Sequence, residues 1–164
     1  MTIFVKNKHT LQLDEFKFIC CICKKGSTTN KKEGDKKTPK GNFEIGNLYY
    51  REDRIEKPLT LLKCIKIKKE MGWCDDILSP DKYNKLIKIN KNLKHEKLKR
   101  NDNKYDLLIP IKYNFKKPVI GKGSCIFIHL TKDYKPTAGC IALKEKDFLI
   151  MLKLVKKNSK IRIS

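Results

Sequence analysis

Residues 105 to 130, YDLLIPIKYNFKKPVIGKGSCIFIHL, contain two strongly β-prone runs, YDLLIPIKYN and GSCIFIHL, joined by FKKPVIGK with its proline and glycine. β-Branched and aromatic residues suit a pleated, half-buried surface, and Pro and Gly punctuate the connection, so the two runs are expected to pair as neighbouring strands. The same reading extends outward. TIFV (2–5) and FKFICCIC (16–23) are short strands separated by polar residues, and the second is apolar on both faces in its latter half, as a central strand would be. FEIGNLYY (43–50) and LTLLKCIKIKK (59–69) read as further strands, the latter alternating apolar and lysine positions from Cys64 to Lys68. Beyond Cys140, Phe148, Leu149, Leu152 and Val155 recur at helical spacing with lysines opposite, and KIRIS closes the chain as a last strand.

Two regions break these patterns. Residues 24 to 42, KKGSTTNKKEGDKKTPKGN, set three glycines and a proline among lysines, the signature of a long surface loop of the kind that carries function. Residues 70 to 105 show no sustained period and read as an irregular insertion with one or two helical turns, one of them starting at Ser79 and Pro80. The expected architecture is mainly β, a sandwich or barrel, with one amphipathic helix near the C-terminus and a single domain over residues 1–164.

The chain has 164 residues and carries a formal charge of +21, from 39 basic against 18 acidic side chains. Such a charge suggests a polyanionic partner. Its make-up argues against specific nucleic-acid reading: Arg51, Arg54, Arg100 and Arg162 are the only arginines, and the 35 lysines are scattered rather than grouped with aromatic platforms. Seven cysteines, an odd number, leave at least one unpaired in a chain large enough to fold without disulfides. Cys20, Cys21 and Cys23 lack a C-x-x-C pair or a nearby His and read as strand packing, so no metal is expected. Neither an apolar leader with a small-residue cleavage site nor a membrane-length apolar run is visible, which leaves a cytoplasmic location open.

His129 ends one expected strand, and Cys140 opens the next apolar segment after ten residues. A turn of that length can bring the two side chains together at neighbouring strand ends. An adjacent imidazole can take the proton of a thiol that is otherwise mostly protonated at neutral pH. Thr137, Ala138 and Gly139 are small enough to expose the sulfur, and backbone N–H groups of such a turn can stabilise an oxyanion. A cysteine before an apolar run is also commonly a packed thiol, and a histidine at a strand end a surface residue.

HLTKDYKPTAGCIAL (129–143) resembles the signature of the YkuD-type L,D-transpeptidases: a histidine, a short spacer, small residues, then Gly-Cys and an apolar tail. EGDKKTPKGNFEIG looks like an upstream element of that family, carried by Gly34, Asp35, Thr38, Pro39, Gly41 and Phe43. MGWCDD, Tyr83–Asn84, HEKLKRND and YDLLIPIKYN resemble its compact branch and occur in the same order, from about Phe16 to the end. Ala138 departs from the pattern, standing where many relatives carry a second histidine.

The resemblance implies Cys140 as nucleophile, His129 as base with its ring oriented by the Leu130 carbonyl, and backbone N–H groups of Gly139 and Cys140 as oxyanion donors. Thr137, His95, Arg100 and Trp73 become candidate substrate contacts, and Asp35 a loop-supporting residue. The implied reaction is acyl transfer on peptidoglycan stem peptides through a thioester, with no cofactor, by a monomer acting in the periplasm or cell envelope. An L,D-carboxypeptidase or amide hydrolase on the same fold is an alternative. So is a non-catalytic protein that grips a polyanion through its lysines.

Overall fold

A computed structural model describes residues 1–164. The chain opens with β1 (Thr2–Val5), β2 (Thr10–Leu13) and β3 (Phe16–Cys21), passes through the two-residue strands β4 (Ser27–Thr28) and β5 (Thr38–Pro39), and continues into β6 (Gly41–Glu44), β7 (Leu48–Tyr50) and β8 (Cys64–Lys66). β9 (Met71–Cys74), β10 (Leu86–Lys88) and β11 (His95–Lys97) follow, then β12 (Leu107–Pro110), β13 (Phe127–Leu130), β14 (Ile141–Leu143), α1 (Glu145–Leu154) and β15 (Lys160–Ile163). Ten strands form one curled sheet in the order β6-β15-β1-β2-β3-β14-β13-β12-β7-β8. The fold is thus mainly β with one helix. No helix is long and apolar enough to cross a membrane.

The expected pairing of residues 105–130 is present: β12 and β13 run antiparallel, with Leu108 opposite His129. β14 then lies parallel to β13, placing Ile141 opposite Ile128 and Ala142 opposite His129. Because side chains alternate between faces along a strand, each of these strands serves two environments. Leu107, Ile109, Ile128, Leu130, Ile141 and Leu143 enter the main core, joined by Phe148, Met151 and Leu152 of α1. Full burial of side chains of this size contributes about 2 kcal/mol each. The opposite face carries Leu108, Phe127 and Cys140, packed in a smaller cluster with Tyr49, Trp73 and Tyr105.

Four expectations are corrected or sharpened. FEIGNLYY is not one strand: β6 pairs with β15, while β7 pairs with β12 and β8. The chain bends at Gly46, whose N–H donates to the Pro110 carbonyl at 2.7 Å, and a methyl group at Gly46 would stand only 3.2 Å from that oxygen. The insertion after residue 70 is built on a three-stranded sheet, β10-β9-β11, with a single helical turn at Ser79. Tyr83 N–H reaches the Ser79 carbonyl as in one helical turn, but Asn84 takes a left-handed backbone (φ 56°) and ends it. The loop over 24–42 is folded back on itself by β4 and β5, which pair in parallel. In α1, Leu149 is only half-buried and Met151 takes its expected place in the core.

Candidate active site

The parity of β13 and β14 puts Cys140, the residue before β14, and His129 on the same face of the sheet, two residues apart in register. Both line a cavity of about 680 Å³. The turn before Cys140 is built by Thr137, whose hydroxyl donates to the Cys140 carbonyl at 2.6 Å and accepts the Gly139 N–H at 3.3 Å. That bond commits the Gly139 N–H, one of the two expected oxyanion donors. The Cys140 N–H donates to no group of the chain. Thr137 is therefore a turn-shaping residue in this arrangement. Gly139 is needed for close packing, since a methyl group there would meet the Lys37 carbonyl at 3.2 Å and Ile126 Cδ1 at 3.4 Å.

The sulfur sits in a backbone cradle. Cys140 Sγ donates to the Cys125 carbonyl at 3.2 Å and accepts the Phe127 N–H at 3.4 Å. Cys125 presents its carbonyl by adopting a left-handed backbone (φ 53°), and its own N–H donates to Asn84 Oδ1 at 3.1 Å. On the His129 ring, Nδ1 bonds the Leu130 carbonyl at 2.8 Å. A carbonyl only accepts, so Nδ1 carries the proton and Nε2 the free lone pair.

Both groups rest neutral. Burial pushes the Cys140 thiol up to about 12, reinforced by the Glu96 carboxylate and opposed by the Phe127 N–H and Lys31. Burial pulls His129 down to about 4; the Leu130 bond opposes this, while Lys104 and Arg100 add to it. The proton therefore stays on sulfur until something in the cavity changes.

One wall of the cavity is the 31–37 loop. Asp35 organises it by accepting from Lys31 Nζ at 2.7 Å, Lys32 N at 2.8 Å and Lys37 N at 2.9 Å. Burial acts to raise the Asp35 carboxyl, but the Lys31 bond and the two N–H groups hold it below its ordinary value. Gly34 lines the cavity with a left-handed backbone (φ 72°). Glu33 accepts from Tyr83 and Ser124 hydroxyls. Thr38 and Pro39 form β5 behind this wall, with the Thr38 hydroxyl 3.4 Å from Cys23 Sγ, and Gly41 begins β6 opposite Ile163.

The other wall brings together Arg100, Glu96 and Tyr105. Arg100 is locked in a two-point bond to Asp102 (2.9 and 2.7 Å), lies 5.0 Å above the Tyr105 ring and stands 3.5 Å from Glu96. The Tyr105 hydroxyl donates to Glu96, and its ring packs edge-on against His129 with centroids 5.4 Å apart. Trp73 and His95 do not line this cavity. Trp73 is buried among Tyr49, Phe115 and Phe127, its Nε1 donating to Asn84 Oδ1 at 3.0 Å. His95 packs its ring over Gly72 and bonds the Leu93 carbonyl.

Lys31, Glu33, Glu96 and Tyr105 are cavity residues that sequence reasoning did not single out, although Glu33, Glu96 and Tyr105 fall inside the motif stretches EGD, HEKLKRND and YDLLIPIKYN. No three His, Cys, Asp or Glu side chains converge as a metal site. All seven cysteines are free thiols, and six are buried.

No curated protein and no solved structure matches the chain. A family model does: YkuD, the L,D-transpeptidase catalytic domain, matches residues 1–163, and the chain belongs to that family.

Proposed function

We propose that the protein is a cysteine-dependent L,D-transpeptidase acting on peptidoglycan stem peptides, with Cys140 as nucleophile and His129 as base. The observation that carries this reading is the pairing of a thiol and an imidazole on one face of adjacent strands, in one cavity, with the ring fixed so that Nε2 is the free base. Family membership supports the substrate class and an envelope location.

In this reading Cys140 Sγ passes its proton to His129 Nε2 as it attacks the carbonyl of the third stem residue. The Cys140 N–H, unused within the chain, receives the developing oxyanion. Collapse of the tetrahedral intermediate returns the proton to the leaving amine, releases the terminal D-alanine and leaves a thioester. An amine from a second stem, or water, then resolves it. Neutral resting groups suit base catalysis on a bound substrate better than a standing ion pair.

The test is covalent capture by a carbapenem, read by intact-protein mass. One adduct per chain is expected on the native protein and none on Cys140→Ala; an equal adduct on the variant overturns the assignment. Product analysis with a tetrapeptide stem separates amine from water as acceptor, since only transpeptidation makes dimers.

A further inference from the structure

Lys31 is an unusual lysine. In a chain with 35 of them it is only 4% exposed, and its stem runs between two glycines. A methyl group at Gly123 would stand 3.0 Å from Lys31 Cγ and 3.4 Å from Nζ; one at Gly139 would stand 3.9 Å from Lys31 Cε. The end of the stem thus passes beside Gly139, the residue before Cys140. Two of the ammonium's three protons are used, by the Lys32 carbonyl at 2.6 Å and Asp35 Oδ1 at 2.7 Å. Burying a lysine costs several kcal/mol unless it is paired, and a lysine needed only to tie down a loop could do so at the surface.

The charges around the sulfur say what this cation is placed for. Glu96, with Asp75 beside it on the cavity wall, opposes negative charge on Cys140. His129, Tyr105 and the Cys125 thiol are neutral neighbours at rest. Arg100 and Lys104 act on His129, where they disfavour the imidazolium, and Arg100 is already bound to Asp102. Lys31 and the Phe127 N–H act the other way and favour an anionic sulfur, and Lys31 lines the same cavity as Cys140.

We propose that Lys31 is a positioning residue whose buried ammonium, attenuated by Asp35, stabilises the negative charge that forms at Cys140 when its proton leaves. This rests on the reading of Cys140 as nucleophile. The proton still goes to His129 Nε2; Lys31 neither gives nor takes one.

The experiment measures the iodoacetamide alkylation rate of Cys140 itself, by peptide mass spectrometry across pH 6.5–9.5, in the native protein and in Lys31→Met, Lys31→Arg and Asp35→Asn. Removing the cation is expected to slow alkylation at pH 8 about fivefold or more, with Lys31→Arg restoring most of the rate. Asp35→Asn keeps an acceptor for Lys31 but removes the countercharge, so it is expected to speed alkylation about threefold. Opposite signs in the Lys31→Met and Asp35→Asn variants support the proposal. Slowing in both marks Lys31 as loop scaffolding and overturns it, as does an unchanged profile in Lys31→Met. If Lys31→Met does not fold, Asp35→Asn decides: faster supports, unchanged or slower overturns. Should Cys140 fail to capture a carbapenem, the nucleophile reading itself falls, a result separate from indifference of a reactive Cys140 to Lys31.

Discussion

The Cys125 carbonyl lies 3.2 Å from the Cys140 sulfur, so the resting thiol donates its proton to the backbone and not to His129. The two side chains of the proposed dyad share a face and a cavity, yet each is satisfied separately, His129 by Leu130 and Cys140 by Cys125. Attack requires the thiol to leave that acceptor.

His129→Asn should therefore split two measurements that an ion pair would keep together. Turnover of a tetrapeptide stem is expected to fall by about 10²–10⁴-fold, the usual contribution of a general base. Alkylation of Cys140 in the free protein should change less than about threefold, because the neutral imidazole does not hold the resting proton. Parallel collapse of both rates would show a standing thiolate–imidazolium pair instead.

Stability should depend on pH through the same histidine. Its folded value, about 4, lies below the ordinary 6.5, so between those values the unfolded chain binds a proton that the folded chain refuses. Stability is then fully present above about pH 6.5, falls as pH drops, and stops falling from this cause below about 4; the loss is on the order of 3 kcal/mol. Urea midpoints at pH 7.5 and 4.5 should show a smaller decline in His129→Asn than in the native protein. At the alkaline end Cys140, raised from 9.0 to about 12, costs stability as pH climbs past about 9.

Asn84 ties four segments together. Its amide accepts from Trp73 Nε1 and Cys125 N and donates to the Tyr113 and Asn114 carbonyls at 3.0 and 2.7 Å. Asn84→Ala leaves buried partners unsatisfied and puts alanine in a left-handed backbone, so a loss of about 3 kcal/mol or more is expected in chemical denaturation. A loss under about 1 kcal/mol would contradict this account.

Thr137→Val preserves shape and removes both turn hydrogen bonds. The expected result is a destabilisation of about 1–2 kcal/mol and a lower kcat with KM little changed, restored by Thr137→Ser. A selective rise in KM would instead identify the hydroxyl as a substrate contact.

Local periodicity made much of the fold legible. TIFV, FKFICC and KIRI are strands, the two runs of 105–130 pair as neighbours, and the 3.6-residue period located α1. The misreadings have a common physical origin in non-local demands. FEIGNLYY has the composition of one strand, but the curl of the sheet needs its halves on different partners, and the bend is fixed by distant contacts such as that of Gly46 with Pro110. β9, β10 and β11 have three or four residues each, too short to display a period, and their pairing depends on Gly72 admitting the His95 ring. Within the site, Cys140 and His129 stood out by motif order. Lys31 could not, because nothing in a run of lysines says which one is buried.

β15 lies between β1 and β6, parallel to the first strand of the chain and antiparallel to the sixth. During synthesis those two strands must wait, each with an open edge, until residues 160–163 have emerged. Closure of the sheet is then a late event that joins contacts of very long sequence separation, which makes for slow folding and an interval of vulnerability to edge-to-edge association. Nascent chains stalled before residue 160 should consequently be protease-sensitive and chaperone-bound.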